Sequence, residues 1–255
     1  MSASEYGVDK LDAGPDLALF PHQQVTVTEP ATGVPRLALA PPPVPLPALP
    51  YHGWRRVLKR LIDVTVTLAV MPGALPLMAV LAIAVRCSSR GPAIFRQDRV
   101  GQFGKVIRVL KFRTMHVDAD RHLRADPQLY AEYVANDYKL PTGIDPRVTR
   151  LGRFLRRTSL DELPQLFNVL GGSMSLVGPR PIIREELPRY GDAVASYLQM
   201  RPGLTGRWQL DGRNLVRYPE RAYLDHDYLQ TWRLSTDLVI LMRTVPSVLR
   251  RRGCQ

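Results

Sequence analysis

The sequence predicts an α+β fold that is mostly helical with a small β-hairpin, and three observations carry the prediction. Residues 64–85 are apolar and contain no charged side chain, which is the length of a long helix. Residues 93–99 and 106–113 are strand-like runs separated by a segment that contains two glycines, as in a hairpin. Helical patterns then dominate as far as a last apolar segment, residues 234–249.

Residues 1–50 form a first unit, which we predict to be a disordered, proline-rich leader. They hold ten of the 23 prolines and show no sustained apolar period. They begin with neither a basic flank nor an apolar stretch, so a secretory signal is not expected. The two cysteines, Cys87 and Cys254, lack the spacing of a disulfide framework or a zinc site, which favours a reduced compartment.

The net charge of +12 is concentrated after the leader, because residues 1–50 carry two basic side chains against five acidic ones. A basic surface of this size attracts phosphates, which nucleic acid, an anionic membrane face, or nucleotide and lipid diphosphates all supply. Charge alone leaves these three classes of partner open.

Residues 51–90 form a second unit, predicted to be a re-entrant membrane helix. Its apolar segment approaches the roughly 20 residues that cross a bilayer, although a buried soluble helix is the alternative. Basic residues flank it on both sides, and positive charge marks the cytoplasmic face, so a straight span would leave one flank on the wrong side. Pro72 and Pro76 each remove a helical hydrogen bond at its middle. A helix that enters, bends and returns to the same face satisfies both observations.

Residues 91–255 form the third unit. After the hairpin, residues 118–138 are predicted to be one polar helix, ended by Pro141, Gly143 and Pro146. Helical patterns follow at residues 148–157 and after Asp161. The last segment, residues 234–249, fits a core helix and a membrane-interface helix equally well.

An acidic pair, Asp161 and Glu162, follows four arginines. One interpretation is helix capping, because Ser159 and Glu162 have the spacing of a capping box. Pro164 fits that frame poorly and would fit better if Asp161 were the cap. The functional interpretation makes Asp161 a carboxylate nucleophile that attacks phosphorus, and Glu162 an oxygen ligand for Mg²⁺. Adjacent helical residues point about 100° apart, which suits two separate roles.

Several basic residues are candidates for phosphate contacts. Arg180 lies between two prolines that fix its backbone, so its planar guanidinium is held at little entropic cost. Lys111 and Arg113 alternate on the second predicted strand and would share a face, either solvated or phosphate-binding. A surface ion pair is the common alternative for any single arginine. Nucleotide-binding P-loops, zinc-protease helices and serine-nucleophile elbows are all missing from the sequence, and the five histidines have no metal-ligand spacing.

Taken together, these motifs resemble the bacterial sugar transferases known as monotopic phosphoglycosyl transferases, or polyprenyl-phosphate sugar-1-phosphate transferases of exopolysaccharide synthesis. The resemblance runs from about Trp54 to the C-terminus. It rests on residues 111–115 (KFRTM), 159–168 (SLDELPQLFN), 176–181 (LVGPRP), 201–206 (RPGLTG) and 212–214 (GRN).

The resemblance implies a cytoplasmic catalytic domain at the bacterial inner membrane. Asp161 would attack the β-phosphorus of a UDP-sugar, release UMP, and hold the sugar phosphate until undecaprenyl phosphate takes it. Mg²⁺ would be bound through Glu162 and Asp161. The sugar is expected to be galactose or glucose, the partners are the UDP-sugar, undecaprenyl phosphate and the membrane but no nucleic acid, and a homo-oligomer is left open. Matched substrate-binding positions are Lys111, Arg113, Arg156, Pro179, Arg180, Arg213 and Asp225.

Three positions depart from the family pattern. Leu75 stands where a serine often precedes the kink proline, Ser173 replaces an acidic residue, and the leader stands in place of the membrane helices of longer relatives. The alternative from another class is a non-catalytic, basic protein that associates with a membrane or binds nucleic acid. A further alternative is a degenerate transferase that only anchors a polysaccharide assembly at the membrane. Ser173 is its main support.

Overall fold

The structure is a computed structural model, and it describes residues 53–138, 140, 143, 145–211 and 216–249. The predicted leader and the 212–214 motif with Arg213 lie outside the described residues. The mostly helical architecture with small sheets is confirmed.

The apolar segment forms one helix, α1 (Trp54–Ser88), which continues through Pro72 and Pro76. One stripe of α1, repeating every three or four residues, is buried: Lys59, Asp63, Thr67, Met71, Ala74, Met78, Leu81 and Val85. The rest of its apolar surface is open, and only 28% of its most apolar window is buried. By length and composition α1 is therefore a candidate membrane helix. The re-entrant hairpin stays a prediction.

The predicted hairpin is confirmed as β1 (Ile94–Val100) and β2 (Val106–Phe112), which pair antiparallel with Ile94 opposite Phe112. The single polar helix predicted after it is wrong. The chain forms α2 (Ala119–Ala125) and α3 (Pro127–Ala135), divided at Asp126. Steric conflict with a following proline pushes a residue out of the helical region, and Asp126 is extended and caps α3 through its carboxylate.

Next come α4 (Arg150–Thr158), a 3₁₀ turn (Leu160–Glu162) and α5 (Gln165–Leu170). Helix α4 ends at Ser159 in the left-handed conformation, with φ of 57°. Both capping interpretations are wrong, because α5 begins only after Pro164 and neither Ser159 nor Asp161 caps a helix through its side chain. Gly152 lets α4 approach β2: a Cβ there would lie 2.0 Å from the carbonyl oxygen of Thr114.

The remaining elements complete the domain around a parallel pair of short strands. Strand β3 (Ser175–Val177) pairs with β4 (Gly203–Thr205). Between and after them lie a 3₁₀ segment (Arg184–Ala193), α6 (Val194–Gln199), α7 (Arg207–Asp211), α8 (Glu220–Gln230) and α9 (Leu234–Leu249). Helix α9 buries Asp237 and Ile240 and leaves Met242 67% exposed, so one face belongs to the core and the other is open.

Helix α1 is fastened to the rest of the domain at both ends. Near its start, Lys59 forms a buried ion pair with Asp237 of α9 at 2.5 Å. Arg60 donates to the last carbonyls of α5, and Asp63 accepts hydrogen bonds from the backbone and side chain of β3. At its far end, Arg113 donates to backbone carbonyls of the last turn of α1 and the residues just after it.

Candidate active site

The 3₁₀ turn between α4 and α5 presents the two predicted carboxylates side by side. Lys111 of β2 donates to Oε1 of Glu162 at 2.8 Å, and Nη1 of Arg180 lies 3.8 Å from the same oxygen. The guanidinium of Arg180 also lies 5.9 Å from the ring centroid of Trp208, where a cation–π contact helps to fix it. Two separate parts of the chain thus hold Glu162 with positive charge.

The two neighbouring carboxylates have opposite pKa shifts. Burial alone would raise the pKa of Glu162, but the charges of Lys111 and Arg180 lower it to about 2. Burial and the neighbouring charge of Glu162 raise the pKa of Asp161 to about 6, against the opposing effect of the cations. Glu162 is therefore a fixed anion, and Asp161 is the carboxylate with the stronger affinity for a proton or another electrophile.

Asp161 is held differently from its neighbour. It is 8% exposed, and no group in the described parts of the chain donates a hydrogen bond to its carboxylate. Arg156, one turn earlier, donates to the hydroxyl of Thr114 at 3.0 Å, and its charge lowers the pKa of Asp161. The oxygens of Asp161 are thus left available while cations lie nearby. Below, the carboxylate–cation cluster means Asp161, Glu162, Lys111, Arg156 and Arg180.

Arg99 of β1 is a basic residue of this region that the sequence analysis did not select. It donates to the carbonyl oxygen of Pro181 at 3.2 Å, next to Arg180, and to Glu186 at 3.4 Å. Its charge also lowers the pKa of Glu162. Strand alternation gives a partial signal for Arg99. Phe95 pairs with Lys111, and Arg99, four residues further along β1, lies on the same face of the hairpin as that pair.

The other predicted site residues are placed elsewhere. Arg113 lies just beyond β2 and is committed to the end of α1, so it does not share the site of Lys111. Pro179 accepts a backbone hydrogen bond from Gly203 and holds the Arg180 loop against β4. Ser173 contacts Asn168, whose side chain bonds to the backbone of β2, and none of the carboxylate–cation cluster.

Asp225 lies in α8 and accepts a hydrogen bond from the hydroxyl of Tyr190 at 2.8 Å. It is buried, as are Tyr190 and its ring neighbour Tyr197, and it forms no hydrogen bond or ion pair with the carboxylate–cation cluster within the described residues. Burial raises its pKa to about 7, although Tyr190 and Arg221 act in the opposite direction. In the structure Asp225 therefore bonds to Tyr190 and not to the carboxylate–cation cluster.

We expect Asp225→Asn to flatten the pH dependence of stability. In the folded protein the pKa of this carboxyl is about 7, whereas in the unfolded chain it has the ordinary aspartate pKa of 3.8. Its contribution is complete below about pH 4 and is lost as the pH rises through 7, a change of about 4 kcal/mol. Asparagine keeps the acceptor for Tyr190 but cannot titrate.

The measurement is the thermal midpoint in detergent from pH 5 to 8. The matched control is Asp192→Asn, because Asp192 is exposed and has the same chemistry. If Asp225→Asn and the parent chain lose stability in parallel as the pH rises, the buried carboxyl is not the titrating group.

The acidic pair is a donor set of the kind that can bind Mg²⁺. Mg²⁺ is commonly held by one or two carboxylates while phosphate oxygens and waters complete its octahedron. Asp161 and Glu162 supply such a pair, and within the described residues no group of three or more His, Cys, Asp or Glu side chains forms a closed metal cage. Nearby cations can take the remaining phosphate oxygens.

Carboxylates beside several cations are a set of groups suited to binding phosphate and a metal ion, and α1 adds a candidate membrane helix. The chain belongs to the bacterial sugar transferase family, whose model matches residues 54–251. The resemblance drawn from the motifs is confirmed.

Curated relatives agree with this family. The chain is 48% identical to an undecaprenyl-phosphate galactose phosphotransferase of Salmonella typhimurium over 202 residues, which is 78% of this chain and 42% of that protein. It is 43% identical to the exopolysaccharide production protein ExoY of Sinorhizobium fredii, covering 76% of this chain and 87% of ExoY. It is 38% identical to the UDP-glucose:undecaprenyl-phosphate glucose-1-phosphate transferase of Escherichia coli, covering 80% and 43%. The chain spans less than half the length of the longer relatives.

Proposed function

We propose that the chain transfers a sugar-1-phosphate, of galactose or glucose, from a UDP-sugar to undecaprenyl phosphate and so initiates an exopolysaccharide repeat unit. The observation that carries the proposal is the asymmetry of the acidic pair: Glu162 is held by Lys111 and Arg180, while Asp161 has no hydrogen-bond donor among the described residues. A nucleophile needs free lone pairs, and its neighbour needs a fixed charge. Family membership and the names of the relatives support the same reaction.

In the first step, a carboxylate oxygen of Asp161 attacks the β-phosphorus of the UDP-sugar. The bond from that phosphorus to the bridging oxygen breaks, and its electron pair leaves with UMP. Asp161 then carries the sugar phosphate as an acyl phosphate. Lys111, Arg156 and Arg180 offset the negative charge that would otherwise repel a carboxylate from a diphosphate.

In the second step, a phosphate oxygen of undecaprenyl phosphate attacks the same phosphorus. The acyl phosphate bond breaks, the carboxylate of Asp161 is restored, and the sugar diphosphate lipid is the product. We propose that Glu162, with Asp161, holds Mg²⁺, which supplies charge neutralisation of the diphosphate.

We further propose that α1 enters the bacterial inner membrane from the cytoplasmic face, bends near Pro72 and Pro76, and returns. Basic residues at both ends of α1 and the open apolar surface between them support this topology. Cysteines introduced one at a time at each flank, in Cys87→Ser/Cys254→Ser protein, should both react with a membrane-impermeant thiol reagent from the cytoplasmic side. Labelling of the two flanks from opposite sides would show a full span instead.

The test of function is UMP release by the purified full chain in detergent. Undecaprenyl phosphate, Mg²⁺ and a panel of UDP-sugars are supplied, and we expect sustained release with UDP-galactose or UDP-glucose that stops when Mg²⁺ is chelated. Protein that is folded but releases UMP from no sugar would favour the anchoring alternative. The hydroxyl of Ser173, which prompted that alternative, bonds to Asn168 and to no member of the carboxylate–cation cluster.

A further inference from the structure

A cavity of about 770 Å³ opens between the first turn of α1 and the junction of α8 with α9. Its described lining includes no member of the carboxylate–cation cluster, so it is separate from the candidate active site. One wall comes from α1 and the other from the junction. The residues used below are Trp54, Arg55, Leu58, Trp232, Arg233 and Leu234.

Each wall of the cavity pairs a tryptophan with an arginine. On α1, the guanidinium of Arg55 lies 5.8 Å from the ring centroid of Trp54. On the other wall, the indole of Trp232 is fixed by donating to Asp237 at 3.2 Å, and Arg233 next to it is exposed. The cavity thus combines apolar ring surface with two cations. Tryptophan and arginine together are typical of the headgroup level of a membrane.

An open apolar track leads away from the cavity along α1. Leu58 and Leu61 lie four and seven residues after Trp54, which places all three on one face of the helix. Leu61 is 60% exposed, and Leu68, two turns further along the same face, is 54% exposed. A ligand with a charged head in the cavity could lay a hydrocarbon chain on this track, so the ligand class is an anionic amphiphile.

We propose that this cavity binds the headgroup of an anionic glycerophospholipid, with an acyl chain along the Trp54–Leu61 face of α1. The inference rests on the membrane association proposed above. Charge complementarity selects an anionic over a zwitterionic headgroup, since Arg55 lines one wall and Arg233 lines the other. The occupant is a bulk lipid and not the acceptor substrate, because the phosphate of an acceptor must reach Asp161, which does not line the cavity.

Binding there would brace the joint between α1 and α9. Asp237 receives Lys59 of α1 at 2.5 Å, and it also accepts from Tyr228 at 2.6 Å and from the indole of Trp232. Trp232 thus links the cavity wall to the buried ion pair, because its indole donates to Asp237. A lipid bridging Arg55 and Arg233 would hold together the same two helices that the ion pair joins.

The experiment titrates delipidated full-length protein in detergent with phosphatidylglycerol and counts retained lipid by native mass spectrometry. The double variant Arg55→Gln/Arg233→Gln is compared with Arg90→Gln/Arg150→Gln, which removes the same charge from two exposed arginines outside the cavity. We expect the first pair to weaken binding of one lipid about tenfold to thirtyfold and the control to change it less than about twofold. Phosphatidylcholine and free glycerol phosphate should bind far more weakly.

Three outcomes would overturn the inference: equal binding of phosphatidylcholine, an equal loss in the control pair, or displacement of the retained lipid by undecaprenyl phosphate. The last would identify the cavity as part of the acceptor site. UMP release is measured on the same samples. A chain that releases UMP without selective lipid binding refutes only this inference, whereas selective binding without UMP release refutes only the proposed function.

Discussion

Asp161→Asn is expected to abolish sugar phosphate transfer, lowering the rate of UMP release roughly a thousandfold or more. The amide has nearly the shape of the carboxylate but cannot form the acyl phosphate, and losses of this size follow removal of a covalent nucleophile. No hydrogen bond from the described residues depends on the carboxylate, so the variant should fold. Its thermal midpoint should match that of the parent within a few degrees.

A single-turnover measurement makes the test sharper. Without undecaprenyl phosphate, the parent chain should release about one UMP per chain and gain the mass of a sugar phosphate, which hydroxylamine removes. Asp161→Asn should show neither, while the exposed control Asp192→Asn should behave like the parent. Stoichiometric labelling that persists in Asp161→Asn would move the nucleophile to another residue.

Glu162→Gln is expected to lower the transfer rate about a hundredfold and to raise the Mg²⁺ concentration needed for half-maximal rate. A divalent cation on a phosphoryl oxygen contributes several kcal/mol to catalysis, and each 1.4 kcal/mol is tenfold in rate. Glutamine keeps an oxygen for Lys111, which now lies 2.8 Å from the carboxylate, but it removes the charge that would hold the metal.

The matched control for Glu162→Gln is Glu185→Gln, an exposed glutamate outside the cluster. It should leave both the rate and the Mg²⁺ dependence unchanged. A Glu162→Gln protein that is slow but has the parent's Mg²⁺ dependence would give Glu162 only the role of holding Lys111 and Arg180 in place.

Local patterns in the sequence were sufficient for several elements. The hairpin strands lie within one residue of their predicted limits, because alternation and the glycine-containing connection are both local signals. The last helix has its predicted bounds, Leu234–Leu249. The division at Asp126 also has a local signal, since Pro127 restricts the backbone of the residue before it.

Sequence motifs selected residues of the candidate site that the structure brings together. They did not select residues whose position depends on tertiary packing. Lys111 and Glu162, both selected from motifs, are in contact, but Arg113, two residues after Lys111, bonds to the end of α1 because β2 stops at Phe112. Strand alternation persists only while the strand does. The reach of Arg99 to Pro181 depends on a contact 82 residues away in the chain, which no local pattern specifies.

The attachment of α1 at both ends restricts how a lipid carrier could reach the active site. Lys59 and Arg60 bond one end of α1 to the domain, and Arg113 bonds the other end. These contacts hold α1 in a fixed position relative to the 3₁₀ turn that carries Asp161. If α1 is embedded as proposed, the reactive carboxylate stands at a constant height above the bilayer. The phosphate of the lipid carrier must then move to that height to reach Asp161. A carrier whose phosphate stays within the headgroup layer would not react.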